Sequence, residues 1–293
     1  MRPRVLVTGA AGQLAFAVAR AFGRGSEVRA LARADLDIRD DGAVRGAIEA
    51  HQPSLIVNCA AYNDVDGAEL DPVAALEANA FAVHGLARAA EAAGATIVHF
   101  SSDFVFDGAA TRPYTEEDRP NPQGVYAASK LLGEWFALEA SRAYVLRVES
   151  LFGAPAGAGT RKGSLAGLVD GILGGREVPV FVDRTVSPSY VVDVADATHR
   201  LVASGSPSGL YHCVNAGACS WHDIATEIAG LLGKTAVLRP ITLDSVSLRA
   251  RRPRYSALDC PRLRAAGIDM PAWQDALQRY LRQGVVKGVV SSQ

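Results

Sequence analysis

The stretch NPQGVYAASKLLGEW, residues 121–135, sets Tyr126 and Lys130 four positions apart in a segment that reads as the start of a helix. Residues i and i+4 of a helix share a face, so a phenol and an ammonium group stand together there. A phenol titrates near pH 10 and is a poor acid–base group at neutrality unless a nearby cation favours its ionised form. Lys130 is spaced to supply that charge, and of the eight tyrosines only Tyr126 has a lysine four residues on. A carbonyl that accepts a hydride needs a proton on its oxygen and hydrogen-bond donors around the developing alkoxide. Tyr126 can give the proton, and Ser102, ending the apolar run TIVHFSS, the second donor. Seen alone, such a pair is as readily a surface coincidence, so its meaning depends on the elements that hold it.

Those elements alternate. RVLVT, EVRALA, LIVNCA, TIVHFSS and AYVLRV read as buried strands separated by alanine-rich helical stretches such as DPVAALEANAFAVHGLARAAEAAG. The expected fold is α/β: a doubly wound parallel (Rossmann-type) sheet with a smaller α/β substrate lobe. Such sheets bind ligands at the carboxyl ends of their strands. Residues 1–150 form the expected dinucleotide-binding domain, with 187–206 and a C-terminal helix over 271–287 returning to it. Residues 151–186 and 207–270 are expected to form the substrate lobe. Its pieces are the helix SLAGLVDGILGG, the strands VPVFV and GLYHCVN, and the helix SWHDIATEIAGLLG, whose Ser220 stands three residues before Asp223 as a capping pair. The loop LFGAPAGAGTRKGS reads as a rim; Arg161 and Lys162 could approach phosphate there, or be ordinary solvated charges.

At the first strand–helix junction, VTGAAGQLA places Gly9 and Gly12 where the backbone must turn sharply and approach a pyrophosphate, with the helix N-terminus offering unpaired N–H groups. The third small position is Ala15 rather than glycine, which still permits close helix–strand packing. The end of the second strand chooses between cofactors. It carries no acidic residue for the ribose hydroxyls but offers Ala32 and Arg33, the latter suited to a 2′-phosphate or simply a solvated charge. The reading therefore favours NADPH over NADH. Asp37 and Ile38 are placed to flank the adenine, and Cys59, Ala60, Ala61 and Tyr62 form a small-residue turn under the cofactor.

The chain of 293 residues is 49% hydrophobic, enough for a substantial core, and its 30 basic residues balance 31 acidic ones. No global field therefore favours nucleic acid or an anionic membrane. Four cysteines without a C-x-x-C pair read as reduced thiols, hence a cytoplasmic protein. The N-terminal segment MRPRVLVTGAAGQLAFAVARAFG could pass for a secretory leader, but Leu14, Val18 and Phe22 recur at helical spacing after a β-branched run, so a strand and a helix are expected. No run of about 18 apolar residues suggests a membrane span. The six histidines show no metal-ligand spacing, and no metal requirement is expected.

With these residues in place, the sequence resembles the extended short-chain dehydrogenase/reductases, and within them the dTDP-4-dehydrorhamnose reductase family. The likeness runs over nearly the whole chain, through TGAAGQLA, LDIRD, NCAAYNDVDGAE, HFSSDFVFDG, RPYTEEDRPNPQGVYAASKLLGE, DRTVSPSYVVDVADA, GLYHCVNAGACSWHDIA and RRPRYSALD. It implies reduction of the 4-keto group of a nucleotide-linked 6-deoxysugar, with Ser102, Tyr126 and Lys130 as the catalytic triad. It extends the cofactor set to Gln13, Leu14, Asn79 and Ser101, beside Tyr126 and Lys130. Around the sugar it implies Val65, Asp66, Ser102, Asp103, Phe104, Glu149 and Ser150, with Arg252 facing the nucleotide diphosphate. Related dehydratases carry an acidic pair where this chain has Asp103 and Phe104, and Phe104 cannot act as an acid, which favours simple reduction. Where the family often reads R-T-S-W, this chain reads Arg147, Val148, Glu149, Ser150, adding a carboxylate and losing an aromatic wall. A homodimer is compatible with the resemblance. So are two other activities: a non-catalytic NADP-binding subunit similar to the β subunit of methionine adenosyltransferase, and a nucleotide-sugar epimerase or dehydratase.

Overall fold

The computed structural model describes residues 2–153 and 163–290, so Arg161 and Lys162 lie outside the described residues. The strands are β1 (Arg4–Thr8), β2 (Glu27–Leu31), β3 (Leu55–Asn58), β4 (Thr96–Ser102), β5 (Ala143–Val148), β6 (Leu151–Phe152), β7 (Glu177–Phe181), β8 (Thr185–Val186), β9 (Ser189–Tyr190), β10 (Gly209–His212), β11 (Cys219–Ser220) and β12 (Val237–Ile241). The helices are α1 (Gln13–Phe22), α2 (Asp41–His51), α3 (Val65–Ala68), α4 (Pro72–Leu76), α5 (Ala82–Ala92), α6 (Val125–Ala137), α7 (Ser164–Leu173), α8 (Val191–Ala203), α9 (Trp221–Leu231), α10 (Pro261–Ala265) and α11 (Trp273–Val290).

Six strands form one parallel sheet in the order β10-β5-β4-β3-β1-β2. Both faces are covered: α1 and α8 pack on one through Val18, Phe22, Val194 and Leu201, and α2 and α5 on the other through Val44, Ile48, Leu86 and Ala90. Double coverage explains why β3 and β5 are buried along their whole length. β2 departs from the sequence expectation of a buried strand. It is the sheet edge, and Glu27 and Arg29 lie exposed on it, charges that discourage pairing with another chain. The chain runs outward from β1 to β2 and then restarts on the other side at β3, which puts the switch point of the sheet between β1 and β3. The open crevice belongs there.

The second lobe has its own core, in which Leu165, Leu168, Val178, Ile224 and Ile228 of α7, β7 and α9 pack together. α9 begins with the expected reciprocal cap between Ser220 and Asp223. Two boundaries need correction. Residues 209–212, expected in the substrate lobe, are β10 and pair with β5 as the outermost strand of the central sheet; Cys213, Leu258 and Leu263 follow into its core. The C-terminal helix, expected to return to the dinucleotide domain, instead buries Trp273, Leu277, Tyr280 and Leu281 in the second core, against Phe152 and Tyr190. Both errors have one cause: an apolar face fixes that a segment is buried, but not which of two apolar surfaces receives it.

Candidate active site

α6 brings Tyr126 and Lys130 to the carboxyl end of β4, where Ser102 terminates the strand. The helix is locked from behind by a buried ion pair: Glu134 accepts two bonds from Arg147 of β5 at 2.8 and 2.7 Å and a third from Ser101 Oγ at 2.5 Å. Beside it, a π-helical turn over Glu77–Phe81 places Asn79 against α6. An added Cβ at Gly133 would collide with the Asn79 carbonyl, so this contact needs glycine.

Two adjoining clefts open along the strand ends. One, of about 520 Å³, is lined by Gln13, Leu14, Val65, Ser101, Ser102, Asp103, Phe104, Tyr126, Lys130, Glu149, Ser150 and Arg252 among others. The second, of about 540 Å³, is lined by Gly9, Arg33, Asp37, Ile38 and Tyr62. They meet at Gly12, Cys59, Ala60 and Ala61. Gly9 has φ +73°, and a Cβ on it would sit 2.7 Å from the Ala60 nitrogen. The first turn of α1 has neither a side-chain cap nor an acidic residue. Its N–H groups and dipole therefore face the joint between the clefts uncompensated, the arrangement a pyrophosphate requires. The residues present thus fit a dinucleotide.

The electrostatics differ from the sequence expectation at one point. Lys130 does not sit on the phenol; its Nζ donates to the Phe100 carbonyl at 2.6 Å. Burial pulls its pKa down to about 8, with Glu134 and Cys59 opposing. Tyr126, far from being acidified, is pushed up to about 12 by burial and by the Asp103 charge, against a hydrogen bond with Ser102. The physical reason is that desolvation of a buried phenolate outweighs a cation directed elsewhere. Phe104 stands edge-to-face on Tyr126, centroids 5.5 Å apart, and is in turn covered by the Arg252 guanidinium. Ser102 Oγ donates to Asp103 at 2.9 Å, and burial raises the Asp103 carboxyl to about 6.

Four sequence-assigned residues are held by partners within the protein. Asn79, assigned to the cofactor, is buried outside both clefts and spends its amide on both Tyr62 backbone groups and on Ser129. Asp66, assigned to the sugar, lies behind the cleft, accepting Ala250 N at 2.8 Å and Arg252 at 2.7 Å, and so holds Arg252 in the wall. Ser101 lines the cleft, but its hydroxyl is taken by Glu134. Glu149, fully buried, accepts Ser187 N at 2.6 Å and Ser256 Oγ at 2.5 Å, and burial raises its carboxyl well above the usual range. Ser150 follows with φ +43°, a conformation rare for serine, where the chain turns out of the central sheet.

Sequence reasoning missed Arg39, Arg184 and Trp221. Arg39 lines the second cleft, donates to both Asp37 carboxylate oxygens, at 3.0 and 2.6 Å, and keeps that carboxyl at about 2. Its signal was present in LDIRD, where a basic residue two positions after Asp37 can fold back onto it. Arg184 and Trp221 enter the first cleft from the second lobe, and no spacing in the sequence brings them together. All four cysteines are free thiols. Among the described residues no group of His, Cys, Asp or Glu is disposed to hold a metal, and no helix is long and apolar enough to cross a membrane.

Comparison with known proteins agrees with this geometry. Residues 2–286 match the family described as RmlD substrate binding domain. The chain is 38% identical over 285 residues to the dTDP-4-dehydrorhamnose reductase of Streptomyces griseus, covering 94% of this chain and 92% of that one. With the Mycobacterium tuberculosis enzyme of the same name the identity is 36% over 286 residues, covering 95% and 92%. The crystal structure of Bacillus anthracis dTDP-4-dehydrorhamnose reductase in complex with NADP superposes with a TM-score of 0.91 at 30% identity, over 97% of this chain and 100% of that one. The chain therefore belongs to the dTDP-4-dehydrorhamnose reductase family of the extended short-chain dehydrogenase/reductases.

Proposed function

We propose that the chain catalyses NADPH-dependent reduction of the 4-keto group of a nucleotide-linked 6-deoxysugar, with Tyr126 as proton donor. The observation that carries this reading is that Ser102, Tyr126 and Lys130 line one cleft, which adjoins through Gly12 the cleft beside the Gly9 turn. Reduced nicotinamide, when bound there, supplies the hydride. Tyr126, protonated throughout the neutral range, gives its hydrogen to the carbonyl oxygen as charge develops on it. Ser102 Oγ, which donates to Asp103 in the open site, becomes the second donor when its hydroxyl hydrogen turns to the substrate carbonyl, and Phe104 against the phenol keeps water from it. Lys130 fixes the carboxyl end of β4 through Phe100 and brings a positive charge to the side where a ribose would lie. Arg33 and Arg39 beside the second cleft support a preference for a 2′-phosphate, hence NADPH over NADH.

The test is Tyr126→Phe, which removes only the hydroxyl. Turnover of a freshly generated dTDP-4-keto-6-deoxysugar should fall by roughly 10²–10⁴-fold while NADPH still binds. Turnover at an undiminished rate would remove Tyr126 from the role. The substrate is thus a nucleotide sugar. Large apolar side chains exposed on neighbouring elements, Leu70, Val73, Phe81 and Trp135, support a homodimer, and the four free thiols support a cytoplasmic setting.

A further inference from the structure

β8 and β11 form an antiparallel pair with Val186 opposite Cys219 and Thr185 opposite Ser220. Arg184 immediately precedes β8, and Trp221, the first residue of α9, immediately follows β11. Both side chains line the cleft that holds Ser102 and Tyr126. Both also end in a buried donor without a partner, Arg184 Nε and Trp221 Nε1. A buried N–H left unpaired is costly and uncommon, and two that share one cavity wall mark a place for acceptor oxygens.

The surroundings narrow the acceptor. The charged groups facing Arg184 are Asp103, Glu149, Asp183 and Arg252. None of the acids lies within ion-pair distance of it among the described residues. Asp103 and Glu149, whose carboxyls burial raises, act on Arg184 through space without giving its Nε an oxygen, whereas Arg252, lining the same cleft, repels it. A guanidinium in a largely desolvated wall, with a second one nearby, calls for an anionic oxygen rather than a neutral hydroxyl. The strap that carries Arg184 is built in. Glu149 binds Ser187 N and Ser256 Oγ, and Ser256 N donates to the Thr185 carbonyl, so β8 is tied to the end of β5.

We propose that Arg184 and Trp221 form a donor pair that selects the substrate by binding an oxyanion it carries, a phosphate or a carboxylate oxygen, in the cleft of Tyr126, with Glu149 as the positioning residue. The inference rests on the nucleotide-sugar reading and extends it to specificity. The experiment is calorimetric titration of the NADP-loaded protein with thymidine, dTDP, dTDP-glucose and dTDP-glucuronate, comparing the wild type with Arg184→Gln and with the milder Trp221→Phe. If the oxyanion is the diphosphate, dTDP binding weakens on the order of ten- to hundredfold in Arg184→Gln and about three- to tenfold in Trp221→Phe, with thymidine unaffected. If it is a sugar carboxylate, dTDP is unaffected and only dTDP-glucuronate weakens by those factors. Unchanged affinity for both ligands in both variants, or no binding of either by the wild type, overturns the pair. NADP affinity retained in the variants shows that they fold. Binding needs no turnover, so a wild type that binds dTDP yet reduces no keto-sugar sinks the reaction and leaves the subsite standing.

Discussion

Replacing Lys130 by methionine removes a buried ammonium group while keeping a side chain of similar length. Burial holds the amine at about 8 against 10.5 for the free group, so below pH 8 the folded state carries a charge it is poorly solvated to hold. At roughly 1.4 kcal/mol per unit, the cost to folding at pH 7 is about 3 kcal/mol. At about pH 9.5 the folded amine is already neutral and the cost shrinks to about 1 kcal/mol, vanishing above the unfolded pKa. Against this stands the 2.6 Å bond to the Phe100 carbonyl, worth about 1.5–3 kcal/mol as a charge-assisted contact. Lys130→Met should therefore be neutral to slightly stabilising at pH 7, and its stability relative to the wild type should fall by about 2 kcal/mol on going to pH 9.5. The difference between the two pH values is about 2 kcal/mol and does not depend on the value given to the hydrogen bond. Urea denaturation of both proteins at the two pH values measures it directly. A stability difference that stays flat with pH would show that the amine is not held in its uncharged direction, and the account of Lys130 would fail. Turnover by the variant should be lost at every pH.

The remaining predictions follow from contacts already described. Glu134→Ala leaves Arg147 buried without its partner and should cost about 3–5 kcal/mol, read by calorimetry; a loss under about 1 kcal/mol would mean the pair does not lock α6. Gly133→Ala drives α6 off the Asn79 carbonyl, so it should cost about 1–3 kcal/mol and lower kcat by displacing Tyr126, whereas wild-type behaviour would show that the π-helical turn yields freely. Arg33→Ala should raise KM for NADPH about tenfold and leave NADH almost unchanged; equal effects on both would assign the 2′-phosphate to Arg39 alone.

Much of the site was legible because it depends on short spacings. The i,i+4 relation of Tyr126 and Lys130, the Gly9 turn and the serine ending β4 are local facts that the parallel-sheet pattern then carries to one crevice. What was not legible depends on distance or on competition between terms. Lys130 reaches Phe100 instead of the phenol because a strand end thirty residues earlier offers a carbonyl, which spacing on α6 does not reveal. Asp66 and Arg252 were both assigned to ligand, yet the carboxylate closes on the guanidinium across 186 residues of chain and only the arginine keeps a place in the wall. β10 was read correctly as a strand and placed in the wrong sheet, since four residues that are half buried and half fully buried satisfy either.

The groups proposed to perform the proton transfer all precede residue 131, whereas Glu149, Arg184 and Arg252 come later, in loops, and Trp221 opens α9. The segments that carry Arg184 and Trp221 pack instead through Val186, Cys219 and Ile224 into the second core, outside the hydrophobic layers flanking β1 and β3. A lineage can thus retune which sugar it accepts by altering a few strap residues, and inherit its reduction chemistry undisturbed.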